Sequence, residues 1–219
     1  MIIDQRIKDL RNDLYSSALD HEQIFQKHII DVNSFLFQPP SLDQEYQIRK
    51  LVANYLGVHL NEVLIVGSSK LGYSLSPLKL YNKFDSKFLT TNLKKDKSDI
   101  DIAVVSNELF LELKKNLYNF TDGLKLEWDV NEYYKNSIRP ITINYKLYEY
   151  ICKGWFRPDF KPIGFEICKN GTFEELKQEI YSLSKRKLGL AIYENWFFFK
   201  SYHLNNLNQL KLKLKTEVI

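Results

Sequence analysis

Val63-Leu64-Ile65-Val66-Gly67-Ser68-Ser69 and Ser98-Asp99-Ile100-Asp101-Ile102-Ala103-Val104-Val105 decide how this chain is read. The first is a short, β-branched apolar run that breaks at once into Gly-Ser-Ser, the pattern of a buried strand opening onto a tight turn. The second is again apolar and β-branched, but it carries two aspartates two residues apart. Side chains alternate along a strand, so Asp99 and Asp101 share one face while Ile100 and Ile102 point the other way, into a core. Two carboxylates side by side repel unless something neutralises them. A divalent cation does so, and oxygen ligands suit Mg²⁺, which keeps several waters and completes its shell with substrate phosphates. Gly67 lets backbone approach a phosphate closely, and Ser68 and Ser69 offer it hydroxyl and N–H groups. Taken singly, each motif is an ordinary turn or strand. In this order, each directly against an apolar run, they point to nucleotide and metal binding.

Outward from these two strands, residues 2 to 30 are predicted helical, with Ile3, Ile7, Leu10, Leu14 and Ala18 spaced by threes and fours. Pro39 and Pro40 break that helix, and Ser41 caps a second that stops near Gly57. Residues 76 to 97, polar and holding Lys94, Lys95 and Lys97, read as a long loop or hairpin inserted between the strands. Ser106 caps a helix through about Tyr118 with Leu109, Leu113 and Leu117 on one face. Short strands are expected over 124–129 and 163–168, and the prolines of 155–162 demand extended or turning chain. Thr172 begins a helix to about Ser184, residues 188–193 read as a strand, and helix resumes from Lys200. The expected fold class is α+β: a small mixed sheet with flanking helices and a helical C-terminal region. Three segments follow, an N-terminal helical stretch (1–40), a core (41–170) with its insert, and a C-terminal α/β extension (171–219).

Composition narrows the field without naming a chemistry. The 219 residues are 44% hydrophobic, 14% aromatic and 26% charged, with a net charge of +4. That excludes disorder, collagen and a disulfide scaffold, and a chain of this length can bury about 70% of its unfolded surface. Cys152 and Cys168 form no CxxC pair and read as reduced thiols. The first residues are interrupted by charge, unlike a signal peptide, and no apolar run approaches the roughly 18 residues of a membrane span. A soluble, cytoplasmic protein with no membrane partner is expected. His21, His28, His59 and His203 show no HxxxH or HExxH spacing, so zinc chemistry has no footing. Neither GxxxxGK[ST] nor GxSxG occurs.

Val66-Gly67-Ser68-Ser69 with Gly72, followed by Ser98-Asp99-Ile100-Asp101-Ile102, resembles the signature of the DNA polymerase beta-like nucleotidyltransferase superfamily. The resemblance spans residues 45 to 120. It implies that Asp99 and Asp101 hold two catalytic Mg²⁺ ions and that Gly67, Ser68 and Ser69 bind the triphosphate of an NTP. An acceptor hydroxyl on protein, RNA or a small molecule would then attack the α-phosphate and release pyrophosphate. It also implies a protein partner from the same operon and a setting in phage defence or a toxin–antitoxin pair. The family's third carboxylate, which can act as general base, has Glu166 as first candidate, with Glu127 and Asp129 behind it. The spacer from Gly67 to Asp99 is longer than the family's. Two alternatives follow: a catalytically silent nucleotide sensor or scaffold, and a nucleic-acid-binding partner using the basic insert.

Overall fold

The computed structural model describes residues 2–16, 18–38, 42–76, 78–125 and 142–216. In chain order the described elements are α1 (Ile2–Tyr15), α2 (His21–Phe25) running into a π-helical turn (Gln26–Ile30), α3 (Leu42–Leu56), β1 (Val63–Val66), α4 (Gly67–Leu71) and α5 (Ser86–Thr91). There follow β2 (Ile100–Val105), α6 (Asn107–Phe120), α7 (Ile143–Cys152), β3 (Trp155–Phe156), α8 (Phe173–Ser184), β4 (Leu188–Tyr193) and α9 (Trp196–Thr216). The fold is α+β, a four-stranded mixed sheet with helices on both faces.

Strand order is β1-β2-β4-β3. β1 runs antiparallel to β2 with Val66 opposite Asp101, and β2 runs parallel to β4 with Asp101 opposite Gly189. β3 closes the far edge antiparallel to β4, Trp155 facing Tyr193. A parallel central pair needs cover on both faces, which is why β2 reads as a nearly unbroken apolar run. Ile100, Ile102, Val104, Leu190 and Ile192 pack into one cluster with Val52 and Leu56 of α3, Leu113 of α6 and Ile180 of α8. Ala103, Val105 and Tyr193 enter a second cluster on the other face, with Leu10 and Leu14 of α1, Phe25 of α2 and Phe199, Leu207 and Leu210 of α9.

Several expectations change. β4 is an interior strand, so residues 171–219 complete the sheet and are no extension appended to it. The predicted single helix over 2–30 is two, because Asp20 caps α2 through a reciprocal pair with Gln23. Residues 163–168 form turns and coil, not a strand. α9 starts at Trp196, ahead of Lys200, and α7 carries no prediction at all. Of the strand expected over 124–129, residues 126–129 lie outside the described residues, as does the Ser41 cap. Thr172 does cap α8, in a capping box with Glu175. Ser106 stands at the head of α6 but its hydroxyl makes no cap bond. Cys152 and Cys168 are both free.

The insert is tied down at its base. Asp85 and Ser98 bond reciprocally, Asp85 N–H to Ser98 Oγ (2.9 Å) and Ser98 N–H to Asp85 Oδ1 (2.8 Å). Arg186, just before β4, donates to both Asp85 carboxylate oxygens at 2.8 and 2.6 Å and to the Ser98 carbonyl at 3.0 Å. The long spacer therefore leaves β1 and rejoins β2 through a closed neck. No helix among the described residues is long and apolar enough to cross a membrane.

Candidate functional site

Asp101 is the charged residue on a sheet face otherwise made of Ala103, Val105, Ala191 and Tyr193. It is half-buried, and small neighbours make the room it occupies. A methyl placed on Gly67, just past β1, would collide with Asp101 Oδ2 and lie 3.0 Å from the Asp101 Cβ and Cγ atoms, and one on Gly189 would sit 2.7 Å from Oδ1. The carboxylate thus lies in a slot between two glycines on the two strands that flank it. Gly67 is required twice over, since its φ of +64° is a conformation side chains rarely adopt.

The slot opens onto a cleft of about 270 Å³ lined by Gly67, Ser68, Ser74 and Ser76 on one side and Arg157 and Asp159 on another. The turn at its floor is anchored by α1 and the chain before α3. Arg6 donates to the carbonyls of Lys70 (3.1 Å) and Leu71 (3.2 Å), and the Phe35 and Leu36 amides donate to Lys70 and Ser69.

Electrostatically the site is short of positive charge. Burial, and then the neighbouring Asp99, push the Asp101 carboxyl up to about 7, against the pull of Arg157 and Lys79. Asp99 is exposed, yet loss of hydration and Asp159 move it upward too, against Lys187 and Lys79. Asp159 is held by Arg157 Nη2 at 3.1 Å, and the Arg157 guanidinium lies 5.4 Å from the Trp155 ring centre. Two repelling oxygen donors on one face suit a cation that takes only one or two carboxylates and leaves its other positions to water and phosphate. Among the described residues no three His, Cys, Asp or Glu side chains converge as a metal cage.

Of the predicted site residues, Gly67, Ser68 and Asp101 line one cleft, and Asp99 is coupled to Asp101 by charge. Ser69 is not with them. It is fully buried, outside the cleft lining, and its hydroxyl donates to the Val66 carbonyl at 2.9 Å. Glu166 is not with them either. Its Oε1 accepts the Ile167, Cys168 and Phe173 N–H groups at 2.7, 3.0 and 3.0 Å, fixing the loop that leads into α8. Burial raises its pKa, but these three donors outweigh that and hold it below the usual range. Glu127 and Asp129 lie outside the described residues. Lys70, beside the Gly-Ser-Ser turn, spends its ammonium on the Ile30 carbonyl at 2.7 Å. Comparison with protein-family models, curated proteins and solved structures finds no match to this chain. The cleft must therefore be read from its own chemistry. Asp159, Arg157 and Gly189 were missed because no motif marks them. The one signal was the Trp155–Pro162 stretch, whose prolines announce a fixed, non-regular segment.

Proposed function

We propose that this chain is an Mg²⁺-dependent nucleotidyltransferase that works in the cleft over Asp101. The seating of Asp101 carries the proposal: a half-buried carboxylate kept in a slot by Gly67 and Gly189, beside a second aspartate, facing a cleft with serine hydroxyls. Asp99 and Asp101 would hold Mg²⁺, which when bound neutralises the triphosphate and the charge developing on pyrophosphate. Gly67 and Ser68 would position the phosphates. The acceptor oxygen forms its bond to the α-phosphorus as the bond to pyrophosphate breaks, and the acceptor's proton passes to a carboxylate. Asp159 takes that role in place of Glu166, because it lines the same cleft and is more than half exposed to solvent. Arg157 orients it through the 3.1 Å contact of its Nη2.

Incubating the protein with each α-³²P-labelled NTP and Mg²⁺ in a cell lysate tests this. Label should move to a lysate component with the native chain. Asp101→Asn should abolish transfer, and Asp159→Asn should slow it by about a hundredfold, the usual worth of a general base. Failure of all four NTPs to label anything would sink the proposal.

A second reading, a nucleotide sensor without transfer, is favoured by Gly189. Gly189 is the residue paired with Asp101 on the neighbouring parallel strand, so that position brings no third carboxylate to the pair. Nucleotide-dependent stabilisation without label transfer would select it.

A further inference from the structure

The cleft has a second chemistry, supplied by α9. Phe199, His203, Leu207, Leu210 and Leu214 form the buried stripe of that helix, so a histidine stands at a core position. His203 is 9% exposed, and its ring lies against Phe25, Phe199 and Tyr202 at centroid distances of 5.8, 4.7 and 5.1 Å. Neither of its nitrogens has a hydrogen-bond partner among the described residues, and neither is sealed off, because the ring lines the cleft. Asn206, one turn on and half-buried, lines the cleft beside it, its amide likewise without a described partner. Two uncharged polar side chains that face one cavity and are not paired within the protein offer hydrogen bonds to a ligand seated there. Trp155 and Tyr193 stand at the same end of the cleft, stacked at 5.5 Å and 15°. Tyr193 lies four residues along β4 from Gly189, about 13 Å at the usual strand rise.

We propose that this aromatic end of the cleft binds the nucleobase of the nucleotide, with His203 and Asn206 hydrogen-bonding the base edge. The assignment rests on the nucleotide reading of the Asp101 end and adds what that end cannot supply, recognition of the base. Burial pushes the His203 imidazole down to about 4, so at neutral pH it is an uncharged donor and acceptor. A neutral heterocycle edge, itself a mixture of donors and acceptors, matches that pair. A phosphate does not, because it wants cationic donors.

Binding of each of the four NTPs and of inorganic tripolyphosphate, all with Mg²⁺, is compared for the native protein, His203→Phe, His203→Gln and Asn206→Ala. Phe keeps the ring contacts to Phe25, Phe199 and Tyr202 but removes both polar atoms. Gln keeps a donor and an acceptor. At least one NTP should bind the native chain tenfold or more tighter than tripolyphosphate. His203→Phe and Asn206→Ala should each lose about tenfold for that NTP with tripolyphosphate affinity unchanged, and Gln should recover part of the loss. NTPs binding no tighter than tripolyphosphate, or variants that leave NTP affinity unchanged, overturn the base site while the phosphate end stands. If neither NTPs nor tripolyphosphate bind, the nucleotide reading fails and the base site with it.

Discussion

Two glycines and one carboxylate define the site at the scale of single residues, and they separate backbone from space. Gly67 has both a left-handed φ and no room, whereas Gly189 has an ordinary strand backbone and lacks only room. Gly67→Ala should therefore cost stability, about 1 kcal/mol or more for the strained φ alone, as well as label transfer. Gly189→Ala should cost transfer with a much smaller change in Tm, since its methyl would crowd only the Asp101 carboxylate and meet the Ile100 carbonyl at an ordinary 3.7 Å. Thermal melts beside the label assay distinguish the two. Equal destabilisation by both would mean that the slot shapes the fold and not the chemistry.

At the scale of elements, the neck of the insert shows where sequence reading stops. β1 and β2 were legible because an apolar run ending in Gly-Ser-Ser, and one bearing alternate aspartates, carry their periodicity on their face. The Arg186–Asp85 pair that returns the chain from β1 to β2 joins residues 101 apart, and nothing local announces it. Glu166 misled for the opposite reason: an acid between apolar neighbours looks like a strand residue, yet it serves as a cap for three nearby amides. Asp159 was invisible because its worth depends on which strand edge the chain brings beside Asp101. Arg186→Ala should destabilise by about 3 kcal/mol in chemical denaturation, since the side chains are 11% and 16% exposed and Asp85 would be left unpaired. A loss below 0.5 kcal/mol would show that the neck holds without it. The insert also carries six lysines against two aspartates, which equals the +4 of the whole chain and leaves the rest balanced. Any non-specific affinity for polyanions should therefore reside there. Exchanging Lys94 and Lys95 for Glu should shallow the salt dependence of oligonucleotide binding by about one unit of slope for each lysine removed.

At the scale of the whole molecule, a buried histidine and a half-buried aspartate oppose one another in pH. His203, ordinarily near 6.5, is held at about 4. Between those values the unfolded chain takes up a proton that the folded one refuses, and stability falls as pH drops from 6.5 to 4. Asp101, ordinarily near 3.8, is raised to about 7, so in that interval the folded chain holds the extra proton and stability falls as pH rises. Each contribution is on the order of 3–4 kcal/mol, so in chelator the native profile should be nearly flat from pH 4 to 6.5. His203→Phe should expose a stability that declines with rising pH, and Asp101→Asn one that climbs. Parallel profiles for the two variants would show that one of the two groups is not buried as described. Asp85 acts in a separate window. Burial raises its pKa, but Arg186 and the Ser98 amide outweigh that and hold it low, so its contribution is present above about 3.8 and lost only below.

The parallel pairing of β2 with β4 has one more consequence, in the order of synthesis. Asp99 and Asp101 leave the ribosome long before Gly189 shuts their slot, and the α9 wall with His203 and Asn206 follows later still. Until then β2 presents an unpaired apolar edge, the surface that chaperones hold and that nascent chains aggregate through. A nascent chain arrested before residue 188 thus carries both aspartates without a pocket around them. The cleft over Asp101 therefore assembles only once β4 and α9 have both been synthesised.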